Sequence, residues 1–233
     1  MLSFDFHGKN SFTDFGIYIE KMPNIPTPKR RVNSIAMPGK NGSLKYDENT
    51  YEDITIAISC GVSGDVTQRV GDIKAWLCGS GAGDLIISFD DGKRYIAQVV
   101  NSFDFEFILN RFSKFIVVFN AEPFRYSALP YPLEIIENNT NIINIGSIYS
   151  EPLIEVYGDG DISLTIGTQD IKLSDVHGKV ILNTVLKEIY NTELENRNFT
   201  MQGEFPIFNV GENIISFDGD LKKLVIHPNW RWL

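Results

Sequence analysis

Short runs in which apolar and polar residues alternate recur along the whole chain. Over LSFDFHG, this alternation places Leu2, Phe4 and Phe6 on one face of a strand, and FGIYIEKM repeats the pattern. The stretch NIPTPKRRVNSIAMPGKNGSLKYDENTYEDITIAISC predicts two strand runs around a PGKNG turn, in which proline fixes φ and glycine supplies a positive φ. A further hairpin is predicted over DLIISFDDGKRYIAQVV, with DDG as its turn.

One segment, SGDVTQRVGDIKAWLCG, has helical spacing instead. At about 100° per residue, four of its apolar residues fall within an arc of roughly 60°: Val66, Val70, Ile73 and Leu77. We predict that Ser63 or Asp65 caps the start of this helix and that Gly79 caps its end. The helix would lie on the surface with this one stripe against a core.

The stretch SALPYPLEIIENNTNIINIGS has the features of a domain border. It combines two prolines with an asparagine-rich patch and shows no helical period. We place the border near Ala128 to Leu133, which gives domains 1–130 and 131–233. In the second domain, strand-like runs are separated every ~8–12 residues by Gly, Asn or Asp, a spacing typical of an all-β sandwich, with YGDGD, SDVHG and FDGD as predicted turns.

The composition excludes some classes of function. Of the 233 residues, 43% are hydrophobic and 22% charged, which is enough to build buried cores. The net charge of −9 argues against a general nucleic-acid binder, whose affinity comes from Lys and Arg on phosphates. No apolar run approaches the ~20 residues of a membrane-spanning helix, so we expect no membrane insertion. We interpret Cys60 and Cys78 as buried small hydrophobic residues.

The glycine-rich sequence CGSGAGD resembles a phosphate-binding loop at first sight. A dinucleotide loop runs from a strand through the glycines into a helix, because the phosphate binds at the helix N-terminus. Here Gly79, Gly81 and Gly83 follow the predicted helix and precede a strand. They lie at the negative end of the helix dipole, so we interpret them as a helix-to-strand connection.

No pattern of catalytic or metal-binding residues is present. The three histidines, His7, His177 and His227, are far apart, and no zinc-binding spacing or G-x-S-x-G motif occurs. Asp159 and Asp161 in GDGDI resemble the first half of a calcium loop but lack its later ligands, and we interpret them as turn residues. We therefore predict no catalytic residue, no metal and no cofactor, and a protein that is not an enzyme.

Two groups of residues leave alternatives open. The basic cluster Lys29, Arg30 and Arg31 is either a solvated edge that resists edge-to-edge pairing or part of a hairpin arm that contacts a partner. Trp230 and Trp232 in HPNWRWL are two positions apart and share a face on a strand. They either stack on a sugar ring or a partner, or fasten the end of the chain to the core.

Seven stretches, taken together and in order, carry a family resemblance. They are FDFHGKNSFTDFGIYI, IKAWL, YIAQV and VVFNAEPFRY in the first half, and SEPLIEVYGDGDISLTI, MQGEFPIFNVGENIISF and HPNWRWL in the second. This chain resembles the distal tail proteins (Dit) of long, non-contractile-tailed bacteriophages and their prophages. The resemblance implies a mainly β protein: an N-terminal β-sandwich-like domain with one α-helix and a hairpin arm, and a C-terminal galectin-like β-sandwich.

The resemblance also implies a structural role. Six copies would form a ring, the baseplate hub, at the distal end of the tail tube in the virion, with a central channel for DNA. The ring would be assembled in the bacterial host cytoplasm and would contact the tail tube protein, the tape-measure protein, the tail-associated fibre or lysin protein and receptor-binding proteins. It would bind no specific nucleic-acid sequence.

In this family the hairpin arm clasps the neighbouring subunit, and Met22 to Asp47 suits that arm. Six of its residues are candidate subunit contacts: Lys29, Arg30, Arg31, Lys40, Asn41 and Lys45. The alternative function is a carbohydrate-binding module for host adsorption, which would use the C-terminal sandwich with Trp230 and Trp232. The sequence shows no His, Asn and Arg cluster around a Trp of the kind with which galectins bind sugar, so the galectin likeness concerns shape.

Overall fold

A computed structural model of the chain describes residues 1–63, 69–103, 106–109, 112–129 and 131–233. The protein is mainly β, with curled sheets, as predicted. The chain divides into two compact units. The first contains Met1–Ala128 together with Leu233, and the second contains Leu129–Trp232.

The first unit contains one large antiparallel sheet, a separate hairpin and two helices among its described residues. Its strands are β1 (Phe4–Phe6), β2 (Lys9–Asn10), β3 (Ile17–Ile19), β4 (Arg30–Ala36), β5 (Ser43–Tyr51), β6 (Ile54–Ser63), β7 (Gly83–Ile87), β8 (Lys93–Val99), β9 (Glu106–Leu109) and β10 (Phe112–Ser127). Its helices are α1 (Ser11–Phe15) and α2 (Val70–Gly79). The large sheet has the order β2-β1-β7-β8-β10-β6-β3, and β9 also pairs with β10. The predicted DDG hairpin is confirmed, since β7 pairs with β8 across it.

The core of the first unit lies between this sheet and α2. Phe4 and Phe6 are fully buried and Leu2 packs beside them, as the alternation predicts. Trp76 on α2 stacks on the ring of Phe15 at a centroid distance of 4.3 Å, and on the ring of Phe4 at 5.7 Å. Aromatic rings therefore hold the helix on the sheet.

Helix α2 follows the predicted stripe where the structure describes it. Ile73 and Leu77 are buried and Val70 packs against the core, whereas Val66 and Asp65 lie outside the described residues. Ser63 ends β6, so the prediction that it caps the helix is wrong; Arg69 takes the N-cap position.

The end of α2 also differs from the prediction. Gly79 is still helical, and the prediction that it caps the helix is wrong. Ser80 takes the C-cap position, its hydroxyl donates to the carbonyl of Trp76 at 2.6 Å, and the chain reverses at Gly81, whose φ is +68°. The serine hydroxyl serves one of the open carbonyl groups at the helix end, so the left-handed residue comes two positions later than predicted.

The short helix α1 was not predicted, because its five residues are too few to show a helical period. Its N-terminus has reciprocal capping hydrogen bonds. The side chain of Asn10 accepts hydrogen bonds from the amides of Phe12 and Thr13, and the carboxylate of Asp14 accepts one from the amide of Asn10 at 2.7 Å. Gly16 ends the helix with φ of +68°.

The second unit is built on long antiparallel strands. Its elements are β11 (Leu133–Ile135), β12 (Thr140–Asn144), β13 (Leu153–Ile166), β14 (Gln169–Asn183), β15 (Glu188–Asn191), a 3-10 turn (Asn198–Thr200), β16 (Met201–Gln202), β17 (Gly211–His227) and β18 (Arg231–Trp232). The sheet order is β11-β17-β13-β14-β15, with β12 also on β17 and β16 also on β14. The apolar residues that alternate along β13, β14 and β17 meet in one core.

Three predicted turns of the second unit are wrong. YGDGD lies inside β13, SDVHG inside β14 and FDGD inside β17, so each pair of predicted short strands is one long strand. The three stretches are side by side, because Asp159 pairs with His177 on one side and with Asp220 on the other. Register shifts interrupt β13 at this point on both sides, and such bulges bend a strand without ending it.

The two cysteines differ in their exposure. Cys60 is buried, as predicted, but Cys78 is exposed, because it lies on the outer side of α2. Among the described residues, no helix is long and apolar enough to cross a membrane.

Candidate functional site

The hairpin formed by β4 and β5 stands apart from the two large sheets. Among the described residues these strands pair only with each other, and nearly all of their residues are exposed. An isolated two-stranded hairpin is marginally stable in water. This hairpin is therefore an exposed surface element, and the pairing of its two strands supplies little stability by itself.

One face of the hairpin is apolar and uncovered. Ile35 pairs with Leu44, and Asn33 pairs with Tyr46, so these side chains share a face. Ile35 is 53% exposed, Leu44 48% and Tyr46 62%. This apolar face was not predicted from the sequence. The alternation of apolar and polar residues in NSIAM and SLKY indicates it, but the neighbouring basic residues suggested the subunit contacts instead.

All six predicted contact residues lie on this hairpin or at its base. Lys29 precedes β4 and its Nζ lies 3.2 Å from a carboxylate oxygen of Glu52. Lys40 and Asn41 lie in the exposed turn, and the exposed Lys45 pairs with Ser34 on the face opposite to the apolar one. The structure brings the six residues together on one element, and their role as subunit contacts stays a prediction.

Arg30 is held in place by its own hairpin. Its Nε lies 2.6 Å from Asp47 Oδ2, its Nη2 donates to Asn49 Oδ1 at 2.6 Å, and its guanidinium lies 5.8 Å from the centre of the Tyr51 ring. The hydrogen bond from Arg30 lowers the pKa of Asp47, and the same bond raises the pKa of Arg30. Arg30 therefore ties β4 to β5, whereas Arg31 next to it is exposed.

The two tryptophans near the end of the chain are half-buried. Trp230 packs against the core of the second unit, with its ring centre 5.6 Å from that of the fully buried Phe208. Trp232 lies in β18, which Trp230 precedes. For Trp230 this is the geometry of a chain end fastened to the core, and the stacking of either ring on a sugar or a partner stays a prediction.

A polar cavity of about 260 Å³ lies at the surface of the second unit. His177 and Arg197 line it together with Asn191, although the sequence showed no such cluster. His177 Nε2 lies 3.1 Å from Asp175 Oδ1, and the guanidinium of Arg197 lies 6.0 Å from the exposed ring of Phe199. His177 and Arg197 are twenty positions apart in sequence. The pairing of β14 with β15, and the hydrogen bond from the amide of Arg197 to the carbonyl of Ile189, bring them together.

The glycine loop is the predicted helix-to-strand connection. Gly81 makes the reversal after α2, and Gly83 begins β7. A Cβ atom at Gly83 would lie 2.2 Å from the ring of His7, so any other residue at this position would have to displace that exposed ring. His7 Nε2 lies 3.4 Å from the carbonyl oxygen of Gly81, which fastens the loop to the strand below it.

The turn-like acids have partners within the chain. Lys222 Nζ donates to Asp159 Oδ2 at 2.7 Å, and the amide of Asp175 donates to Asp161 Oδ1 at 3.1 Å. Within the part of the chain that the structure describes, no group of three or more His, Cys, Asp or Glu residues could hold a metal ion. The hydrogen bond from Lys222 lowers the pKa of Asp159, so this carboxylate is stabilised as an ion pair.

The fold is similar over its full length to that of a solved phage protein. That protein is the Dit protein of phage SPP1, described as a paradigm of the hub adsorption apparatus in phages that infect Gram-positive bacteria. The TM-score is 0.79, the likeness covers 100% of both chains, and the sequence identity is 11%. No protein-family model matches the sequence, and no curated protein matches it. The predicted likeness to Dit proteins is thus confirmed at the level of the fold.

Proposed function

We propose that this chain is a structural protein of a bacteriophage tail, of which six copies form the ring-shaped hub at the distal end of the tail tube. Residues 1–130 form the ring and residues 131–233 form a galectin-like domain that faces outward. The ring joins the tube and tape-measure proteins to the tail-associated and receptor-binding proteins, and it leaves a channel for DNA. The chain has a structural role in the virion tail and no catalytic one.

One observation carries this proposal: the whole chain, and not one domain of it, has the fold of a phage hub protein. Single β-sandwich domains serve many unrelated functions, so a match to one of them would say little. A match over both units, in order and at full length, is much harder to obtain without a shared role. The TM-score of 0.79 lies far above the level at which unrelated folds match by chance.

The hairpin supports a ring in which each copy contacts the next. Its apolar face, with Ile35, Leu44 and Tyr46, is uncovered by its own chain. A face of this kind suits a protein partner. A closed ring needs a head-to-tail contact between two different surfaces of the subunit, and a hairpin that reaches a neighbour provides one such surface. The predicted contact residues Lys29, Arg30, Arg31, Lys40, Asn41 and Lys45 lie on the same hairpin or at its base, and Lys45 is on the face opposite to the apolar one.

The charge of the chain supports a passage for DNA. The net charge of −9 gives the protein an overall repulsion towards phosphate. A channel wall without a basic surplus lets DNA slide instead of binding it. The proposal therefore predicts no measurable retention of double-stranded DNA by the purified protein at physiological salt.

Electron microscopy and native mass spectrometry of the purified full chain test the ring. The expected result is a six-fold ring with a central hole, whose assembly is lost in the Ile35→Asp, Tyr46→Asp double variant. The matched control is Val185→Asp with Leu186→Asp, which adds the same charge at two similarly exposed apolar residues of the second unit. A chain that stays monomeric at every concentration, and that antibodies do not detect at the tips of purified phage tails, would contradict the proposal.

A second candidate function is carbohydrate binding during adsorption to the host. The polar cavity favours it, because His177 and Arg197 line it with hydrogen-bonding groups, and Phe199 offers an exposed ring nearby. Trp230 offers less, since its ring packs on Phe208.

Binding to a glycan array and to isolated host cell walls tests the second candidate. If the cavity binds sugar, Arg197→Ala abolishes retention and Trp230→Ala leaves it intact apart from any loss of folded protein. If the tryptophan binds sugar, Trp230→Ala abolishes retention and Arg197→Ala leaves it intact. Absence of retention by the wild-type chain on every glycan and wall would dismiss carbohydrate binding without affecting the structural proposal.

A further inference from the structure

The sheet of the second unit has one closed edge and one open edge. At the closed edge, the residues after β15 fold back on it. The backbone carbonyl of Ile189 accepts a hydrogen bond from the amide of Arg197 at 2.7 Å, and the amide of Ile189 donates one to Asn198 Oδ1 at 2.5 Å. The backbone amide of Asn191 donates to the backbone carbonyl of Glu195 at 3.2 Å. This edge has no free backbone groups to offer at these positions.

The open edge is formed by β12. Its register with β17 is unbroken from Thr140 to Asn144, and within the described residues no other strand pairs with it. In an antiparallel ladder every second residue of an edge strand points its amide and carbonyl away from its neighbour. These groups form a ready template for a further strand.

Three usual protections of an edge strand, namely charge, proline and a bulge, are absent from β12. From Asn138 to Ser150 the sequence carries no charged residue and no proline, and β12 has no bulge. The nearby strand β11 pairs with the same strand β17 and has two of these protections. Pro132 precedes it, and its Glu134 is ion-paired with Lys223 at 3.3 Å. Charge, proline and bulges are the devices with which proteins prevent edge pairing.

The outward face of the open edge is apolar. Ile143 is 57% exposed and Ile145 64%, and Ile214 on β17 beside them is 53% exposed. Their neighbours Ile142 and Asn144 point into the unit and are buried. One charged residue shares this face: Glu212, which lies on β17 and pairs with Ile143. Strand β12 therefore separates Glu212 from any strand that pairs with the open edge of β12.

We propose that the open edge of β12 pairs antiparallel with β12 of a second copy of this chain. A two-fold contact needs a surface that is compatible with itself, and a neutral, unbulged, β-branched strand meets that condition. In the pairing centred on Ile143, this residue lies beside Ile143 of the second copy, and Asn141 lies beside Ile145. No like charges meet, although each chain carries a net charge of −9.

Charge does not oppose a second copy at this edge. Two acidic chains repel each other wherever their carboxylates approach, and the run from Asn138 to Ser150 carries no carboxylate. The contact is small compared with the ~1,200–2,000 Å² of a stable interface, so the pairing is weak, with a dissociation constant on the order of micromolar or above. The proposal is independent of the hub: it holds for single chains and for rings.

Sedimentation equilibrium of the full chain, from about 1 μM to about 1 mM, tests the pairing across the range expected of a small interface. The wild type is expected to double its mass as the concentration rises, from one chain to two or from one ring to two. Ile143→Lys sets two like charges side by side and removes two apolar contacts, so the dissociation constant should rise by about tenfold or more. Val185→Lys, at a residue of similar exposure (58%), is the control and should pair as the wild type does.

Mixing two variants separates a second copy from any other explanation. Ile143→Glu should fail to pair by itself, and an equimolar mixture of Ile143→Lys and Ile143→Glu should pair again, because opposite charges then face each other across the two-fold axis. A wild type whose mass does not double up to about 1 mM overturns the proposal, and so does a mixture that stays unpaired while the wild type pairs. Loss of rings without loss of doubling would contradict only the proposed hub.

Discussion

The indole Nε1 of Trp76 donates a hydrogen bond to the carbonyl oxygen of Phe6 at 2.9 Å, and this bond ties helix α2 to strand β1. The tryptophan is 4% exposed, and its ring also stacks on Phe15. The bond satisfies a buried donor and a buried acceptor at once. One side chain thus fixes the position of the helix on the sheet of the first unit.

We therefore expect Trp76→Phe to destabilise the first unit by about 1–3 kcal/mol, since it leaves a cavity and removes the donor. Trp76→Ala should cost about 3–5 kcal/mol. Phe12→Ala, at a residue that is 40% exposed on α1, is the control and should change the free energy of unfolding by about 0.5 kcal/mol or less. Urea denaturation followed by circular dichroism measures all three; equal losses for Trp76→Phe and Phe12→Ala would contradict the anchoring role.

A second prediction concerns the bend of β13. A Cβ atom at Gly158 would lie 2.4 Å from the carbonyl oxygen of Asp220 and 2.6 Å from Ile162 Cδ1. Because the oxygen belongs to the backbone of β17, it cannot move aside cheaply, and we expect Gly158→Ala to destabilise the second unit by about 1–3 kcal/mol.

Gly71→Ala is the matched control for this substitution. Gly71 lies in α2, where a Cβ atom would meet nothing within 4 Å, and alanine favours a helix over glycine by roughly 0.5–1 kcal/mol. The two variants should thus shift the thermal midpoints of their units in opposite directions. Calorimetry that finds Gly158→Ala neutral would show that the close approach of β13 and β17 relaxes without cost.

A third prediction concerns acid stability. Burial opposes the ionisation of Glu155, but the hydrogen bonds from Lys179 at 2.8 Å and from Tyr157 at 2.7 Å outweigh it and hold its pKa below 4.5. The folded state therefore favours the charged carboxylate. Its contribution to stability is complete well above pH 4.5 and is lost as the pH falls through 4.5 towards the lower pKa of the folded state.

We expect Glu155→Gln to cost about 1 kcal/mol at pH 7 and progressively less as the pH approaches 3. Glu188→Gln, which removes the same charge from an exposed position on β15, should cost about 0.5 kcal/mol or less throughout. The free energy of unfolding of both variants, measured by urea denaturation between pH 3 and pH 7, decides between them. A cost of Glu155→Gln that does not change with pH would contradict the ion pair.

A fourth prediction concerns the two thiols. Burial raises the pKa of Cys60 to about 12, whereas Cys78 is exposed on α2. Since the thiolate is the reactive form, a disulfide reagent at pH 8 should modify one thiol per native chain and a second only after unfolding. Cys78→Ser should abolish the native reaction, and a rapid reaction that persists in that variant would show that β6 opens readily.

Much of the sheet structure could be predicted from short-range pattern alone. Phe4 and Phe6 are buried because they alternate with polar residues, and the DDG hairpin forms because its two flanks alternate on either side of a turn. The stripe of α2 is correct for Ile73 and Leu77. These features depend on residues that are close in sequence or that lie on one face of a single element. The spacing of apolar residues along the chain indicates such features directly.

The three wrong turn predictions in the second unit have one physical cause in common. Gly158, Gly178 and Gly219 were interpreted as turn glycines, because glycine and aspartate favour the same backbone conformations in turns and in bulges. Whether the chain reverses or continues there depends on the neighbouring strands, and the three stretches lie side by side in the sheet. The missed cavity residues His177 and Arg197 are of the same kind, since pairing across strands brought them together.

The sequence by itself determined the mainly β class, the buried positions of Phe4, Phe6, Ile73 and Leu77, and the resemblance to Dit proteins, because all three are carried by local alternation and by motifs in order. The tertiary structure decided which apolar faces stay uncovered. Ile56 on β6 and Ile35 on β4 both lie in strands whose sequences alternate apolar with polar residues, yet Ile56 is fully buried and Ile35 is 53% exposed. The difference arises because β6 lies between β10 and β3 over a core, whereas among the described residues β4 pairs with β5 alone. The alternation of apolar and polar residues within a strand does not show which other elements pack against it.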